Sequence, residues 1–240
     1  MRYFLFLILL FLISCGKNLD GIDNTPPQKP VIVSQNYDPS FYTESGIRPV
    51  SNSNHLRIDW FESEDDDIEG YFLERRELVG SDTTWIRVSN EITSDTTLVD
   101  NDLVFENEDT PSRFFYRVIA VDESDNMSKP SNTKNFKLLK KAKILDFYIS
   151  DGKLVIDAIY QGNIGNETKY AVLRLINGSN IVYAEPKEAF LLDENINFSV
   201  DLNEVDIDLN NLYARVDIVN SINGIHTAGS YSQLKLLENN

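Results

Sequence analysis

The sequence predicts an all-β protein, built as two β-sandwiches in tandem behind a short N-terminal targeting segment. Three observations carry this. Apolar residues recur with period two from Pro30 nearly to the C-terminus, clusters of Asp, Ser, Asn and Gly interrupt that alternation at short intervals, and no stretch holds the 3.6-residue period of an amphipathic helix.

The chain opens with MRYFLFLILLFLISC, in which Arg2 is the sole charge and Tyr3 to Ile13 are apolar apart from one phenol. That run is far shorter than the roughly 20 residues that span a bilayer, and its positive start, apolar centre and small Ser14 have the layout of a secretory signal over residues 1–14. Leu12-Ile13-Ser14-Cys15 resembles the lipobox of bacterial lipoproteins. The resemblance implies that Cys15, the only cysteine, receives a diacylglyceryl group, that the signal is cut before it, and that the new amino terminus is acylated. The other reading is an ordinary cleaved signal with an incidental cysteine. One acyl chain holds a protein marginally, whereas two or three hold it lastingly. Gly16 in place of Asp implies, within that family, the outer membrane, and Lys17, Asp20 and Asp23 resemble the export tags of surface lipoproteins in the Bacteroidota. Whether the chain faces the periplasm or the cell surface stays open.

Residues 15–29 form an acylated tether: GKNLDGIDNTPPQK is polar, carries a Pro pair and has no apolar period. As a coil it spans on the order of 20 Å. Residues 30–137 form the first β block. "HLRIDW" sets Leu56, Ile58 and Trp60 on one face, "GYFLERRE" does so with Tyr71 and Leu73, and "RFFYRVIAV" with Tyr116, Val118 and Ala120. The ordered landmarks "NTPPQKPVIVS", Trp60, "SEDDDIEGYFLERR", "TLVDNDL" and "FFYRVIAVDESDNMSKPSN" resemble a bacterial fibronectin type III domain. That resemblance implies Trp60 as the core tryptophan of strand B and Tyr116 as the corner tyrosine, its hydroxyl bonded to the E to F backbone. The sequence departs from the family at Asp125, where a turn favours Gly, and in residues 34–55, a long connection between strands A and B outside any strand pattern.

Residues 142–237 form the second block, with strands in "KILDFYI", "KLVIDAIY", "KYAVLRLI", "NIVYAE", "NFSVDL", "LYARVDIV" and "SYSQLKLL". Their number and spacing suggest an immunoglobulin-like sandwich. Comparing "FFYRVIAVDESDN" with "LYARVDIVNSING" hints at a duplication, although Tyr213 falls on the face opposite Ala214, Val216 and Ile218. The joint, "FKLLKKAKIL", holds four lysines and no Gly or Pro. It reads as short and stiff.

With 38 acidic against 22 basic residues and a net charge of −16, the chain lacks the clustered cations that displace counterions from nucleic acid. Its two histidines, His55 and His226, lie in different blocks, and there is no Gly-x-Ser-x-Gly elbow, zinc spacing or phosphate-cradling loop. The expectation is a non-enzyme with no cofactor and no metal; paired carboxylates for glycoside hydrolysis stay open, since only their separation in space reveals them. Glu62, Glu64, Asp65, Asp66, Asp67 and Glu69, and likewise Asp201, Glu204, Asp206 and Asp208, are read as solvated loop acids rather than calcium ligands. His226 is read as a turn residue. Tyr37, Phe41 and Tyr42 in the A to B connection and Trp85 on an edge strand are the candidate contact residues. Either they meet a ligand, or the connection folds over the sandwich and buries them, which is the preferred reading. The functional expectation is a lipid-anchored outer-membrane module that binds or scaffolds another envelope protein; the alternative is carbohydrate capture beside an outer-membrane uptake system.

Overall fold

The computed structural model describes residues 23–37, 44–78, 84–103, 112–162, 169–188, 195–222 and 225–238. Cys15, Phe41 and Tyr42 lie outside them. The described residues form strands and loops, with no helix. Residues 23–29, expected to belong to the free tether, instead lie along the first block: the Gln28 N–H donates to Asp65 at 2.8 Å, the Asn126 amide donates to the Asp23 carbonyl at 2.9 Å, and Pro27 is buried.

The first sandwich comprises β1 (Val31–Ile32), β2 (Asn36–Tyr37), β3 (Glu44–Ser45), β4 (Arg48–Pro49), β5 (Leu56–Phe61), β6 (Ile68–Glu77), β7 (Ile86–Arg87), β8 (Thr97–Asp100), β9 (Ser112–Asp122) and β10 (Lys134–Leu138). β1, β4 and β8 pair with β5 in one sheet, and β7, β6, β9 and β10 follow one another in the facing sheet. Alternation buries one face of each: Leu56, Ile58 and Trp60 from β5 meet Tyr71, Leu73, Tyr116 and Val118 in one core. Trp60 sits edge-on to Tyr71, ring centroids 5.7 Å apart. Trp60 is thus buried in that core. Gly70 is required by close approach, because a Cβ there would stand 2.5 Å from the Thr93 carbonyl oxygen. Asp125 does occupy the left-handed backbone region, at φ 65°.

Tyr116 corrects an expectation. Its hydroxyl donates not to backbone but to the Asp100 carboxylate, at 2.7 Å, and Arg75 pairs with the other oxygen of that fully buried group at 2.5 Å. An ionised acceptor makes a stronger bond than a carbonyl does, and β8 delivers one to the spot.

The second sandwich comprises β11 (Lys143–Ser150), β12 (Lys153–Ile159), β13 (Lys169–Asn177), β14 (Asn180–Glu188), β15 (Asn195–Asp201), β16 (Leu212–Ile222), β17 (Ile225–Tyr231) and β18 (Lys235–Leu236). The sheet β11-β12-β15 covers β14-β13-β16-β17 across a core that includes Phe147, Ile156, Leu173, Phe198 and Val216. Ala214, Val216 and Ile218 enter that core while Tyr213 does not, as alternation along β16 requires. The last strand departs from expectation: β17 begins at Ile225, so His226 lies in a strand and not in a turn, and the chain breaks from the ladder before β18. At that break Ser232 lends its hydroxyl to the Val216 N–H at 2.9 Å. Ser131 and Ser128 do the same for Val118 and Ala120 in the first sandwich, so the two middle strands, β9 and β16, are kept in register by the same device.

The sandwiches share a sheet. β10 pairs in parallel with β17, Lys137 opposite Ala228 and Leu138 opposite Gly229, and the Leu139 N–H continues the ladder to the Gly229 carbonyl at 3.0 Å. The order β14-β13-β16-β17-β10-β9-β6-β7 is thus unbroken. The joint leaves this ladder through Leu139, and the Lys140 carbonyl accepts from the Ser230 hydroxyl at 2.5 Å.

Candidate functional site

The residues 34–55 were expected to carry no strand, and here the structure differs. β2 pairs with β3, and Asn36 opposes Ile225 of β17. The connection is divided: Ile47 and β4 pack in the first sandwich, while β2 reaches β17 of the second. It places Glu44 on the outer face of the β13 and β16 ladder, where Arg174 and Arg215 stand directly opposite each other. Arg215 bonds Glu44 at 2.5 Å and Asp217 at 2.6 Å, and Arg174 approaches Asp217 at 3.3 Å and Glu44 at 3.7 Å. The Arg215 guanidinium lies 3.9 Å from the Tyr231 ring centroid. Two cations and two anions face one another in a largely buried cluster.

Burial pushes the Glu44 carboxyl up, but the guanidinia of Arg215 and Arg174 outweigh it and hold the group below the ordinary carboxylate range. Asp217 goes the other way: complete burial outweighs Arg215, and the neighbouring Glu44 charge adds to the rise. Burial opposes the charge on Arg215, yet Asp217 and Glu44 together hold it on. This cluster is a clasp between sandwiches. No reacting group emerges from it, because every charge already has a counter-charge.

The outer face of the first sandwich's β7-β6-β9-β10 sheet is a different surface. Alternation sends Phe72, Glu74 and Arg76 outward from β6 and Phe115, Arg117 and Ile119 outward from β9, and register sets Glu74 beside Arg117 and Arg76 beside Phe115. The Glu74 and Arg117 pair closes at 2.5 Å. Trp85, leading into edge strand β7, lies under two guanidinia, Arg76 at 5.1 Å and Arg117 at 4.2 Å from its centroid, while Arg76 also covers Phe115 at 4.8 Å. Arg87 covers Phe72 at 3.7 Å. The half-buried indole is therefore held in a lattice of alternating rings and cations. Leu78, just past β6, is 58% exposed, while Ile86, opposite Arg75, falls on the other face of the sheet.

Of the four aromatic candidates, Trp85 alone has a described side chain. Tyr37 has a described backbone in β2, opposite Glu44, and Phe41 and Tyr42 lie outside the described residues. The acids of the loop after β5 are exposed or half-buried. One of them, Asp67, comes together with Asp23 and Asp122, carboxylate oxygens within 4.8 Å of one another. Asp122 is engaged: it accepts the backbone N–H groups of Ser124 and Asn126 at 2.9 and 2.8 Å and the Asn126 amide at 2.9 Å. Burial pushes its carboxyl up and these donors outweigh it, so the group sits below its ordinary value.

Sequence reasoning missed Glu44, Arg174, Arg215 and Asp217. Their alternation reads as a solvated strand face, and no local signal tells that a segment on the order of 170 residues away will cover it.

No protein-family profile matches the chain, and no curated protein matches it. Among solved structures it is similar to the FN1–FN3 domains of chicken CNTN1, at 13% identity and a TM-score of 0.39, covering 88% of this chain and 66% of that one. It is also similar to the chicken interferon gamma receptor alpha chain, at 13% identity and a TM-score of 0.31, covering 88% of this chain and 96% of that one.

Proposed function

We propose that the protein is a non-catalytic binding module, held by an acylated Cys15 at the bacterial outer membrane, which presents the Trp85 face to another envelope protein. The lattice of Trp85, Arg76, Arg117 and Phe115 carries the reading. Trp and Arg dominate the binding energy of protein interfaces. Rings and guanidinia already locked by cross-strand pairs lose little rotamer freedom on association, which lowers the cost of binding. Leu78, just past the end of β6, is exposed and continues the outward register of Phe72, Glu74 and Arg76. The continuous sheet supports the same reading, since it fixes that face relative to the second sandwich.

Carbohydrate capture is the weaker alternative. A sugar stacks on a free ring face, and Trp85 already has two guanidinia over it.

The test is photocrosslinking in cells from position 78, compared with position 149 on the second sandwich. A discrete adduct with one envelope protein from position 78, absent with Trp85→Ala and absent from position 149, is the expected result. The same adducts from both positions, or none from position 78, defeats the proposal. The anchor has its own test: Cys15→Ala is expected to release the protein from the detergent-soluble membrane fraction.

A further inference from the structure

The joint concentrates cations in a strongly acidic chain: Lys137, Lys140, Lys141 and Lys143 fall within seven positions, against a net charge of −16. The fold brings two of them to a third. Lys141 and Lys143, with Lys235 and Gln233 across from them, line an open hollow of about 380 Å³ between the joint and the segment leading into β18. A volume in this range suits a small ligand.

The charges around the hollow are unevenly answered. Lys235 has Glu238 at 2.7 Å. Lys141 is half-buried and donates to the Ser53 carbonyl, and desolvation alone lowers its pKa, with no carboxylate opposing the fall. Among the described residues neither Lys141 nor Lys143 forms an ion pair. A partly desolvated ammonium without a counter-charge is costly, and an anion in the hollow removes that cost. Against the net negative charge of the chain, the local cations decide whether an anion is held.

We infer that this hollow is a binding site for a small molecule bearing a phosphate or carboxylate group, of about the size of a sugar phosphate, with Lys141 and Lys143 as its cationic contacts. Such a ligand touches the joint and the C-terminal segment together, at the seam of the two sandwiches. It is a second site, remote in chemistry from the Trp85 face, and it stands whether or not that face binds a protein.

Calorimetric titration of the full-length protein in neutral detergent at low salt tests it, with inorganic phosphate, glucose 6-phosphate, glucuronate and glucose as probes. Saturable binding of at least one of the three anions at millimolar concentration or below, no binding of glucose, and a loss of at least tenfold on adding 0.3 M sodium chloride are expected. Lys143→Glu, an exposed change that leaves the Lys141 bond to Ser53 in place, is expected to weaken binding at least tenfold, and Lys153→Glu on β12 to leave it unchanged. Thermal melts confirm that both variants fold. If no anion saturates up to 20 mM, if glucose binds as well as its phosphate, or if Lys143→Glu and Lys153→Glu behave alike, the site is not there.

Discussion

Removing Glu44 tests the clasp directly. In Glu44→Ala the Arg215 guanidinium loses a partner at 2.5 Å and Arg174 one at 3.7 Å, and two buried cations are left to share Asp217. Arg174 is wholly buried and Arg215 nearly so, so water cannot take over the lost pairing. Breaking a buried pair from one side costs about 3–5 kcal/mol, several times the 0–1 kcal/mol of a surface pair. For a chain of this size that lowers the melting temperature by roughly 6–20 °C. Scanning calorimetry reads the shift, and a double-mutant cycle with Arg215→Met isolates the pair: the double variant is expected to recover part of the loss, since the stranded cation is gone. A loss under about 1 kcal/mol, with additive single effects, would show that the cluster is hydrated and that the two sandwiches are held by strand pairing alone.

Four further outcomes are expected. Tyr116→Phe leaves a buried Asp100 oxygen without its donor and costs about 1–3 kcal/mol by urea denaturation; burial and the adjacent Asp100 keep the phenol neutral well above its ordinary range, so the wild-type contribution is full below about pH 10 and lost as pH rises toward the folded value, a loss that the variant does not show. Gly70→Ala drives a Cβ against the Thr93 carbonyl and destabilises the first sandwich by about 1–3 kcal/mol in the same assay. Asp125→Gly relieves a left-handed backbone and is expected to raise stability by about 0.5 kcal/mol, read as a higher urea midpoint. Asn126→Ala takes a donor from Asp122, so the Asp122 titration followed by NMR moves up; because the folded value lies below the unfolded one, the stability this group adds is present above about pH 4 and lost as pH falls through the folded value, and the variant has less of it to lose.

The strands were legible because their cores obey alternation: Trp60, Tyr71 and Tyr116 announce the first sandwich, and Ile156, Phe198 and Val216 the second. The turn at Asp125 was legible for the same local reason. What could not be read is what lies on the outer faces. Arg174, Arg215 and Asp217 look like solvent-facing positions in "VLRLI" and "ARVDIV", and only the folded chain brings Glu44 over them. The partner of Tyr116 was missed likewise, since nothing in "TLVD" marks Asp100 as a buried acceptor. Trp85 was picked out by its place beside an edge strand, yet the guanidinia that hold it come from β6 and β9 and follow from strand register, which sequence does not specify. His226 was misread because Gly on both sides of it resembles a turn, while the ladder with Ser221 runs through it.

The parallel ladder between β10 and β17 also bears on how the chain matures. Synthesis delivers the N-terminal sandwich first, with β10 as a bare strand edge until β17 arrives and Glu44 without Arg215 until β16 does. Chains cut short before Leu212 thus display an open edge and an uncompensated acid, both marks of an incomplete product. Proteases would clear such fragments, and only full-length copies would accumulate.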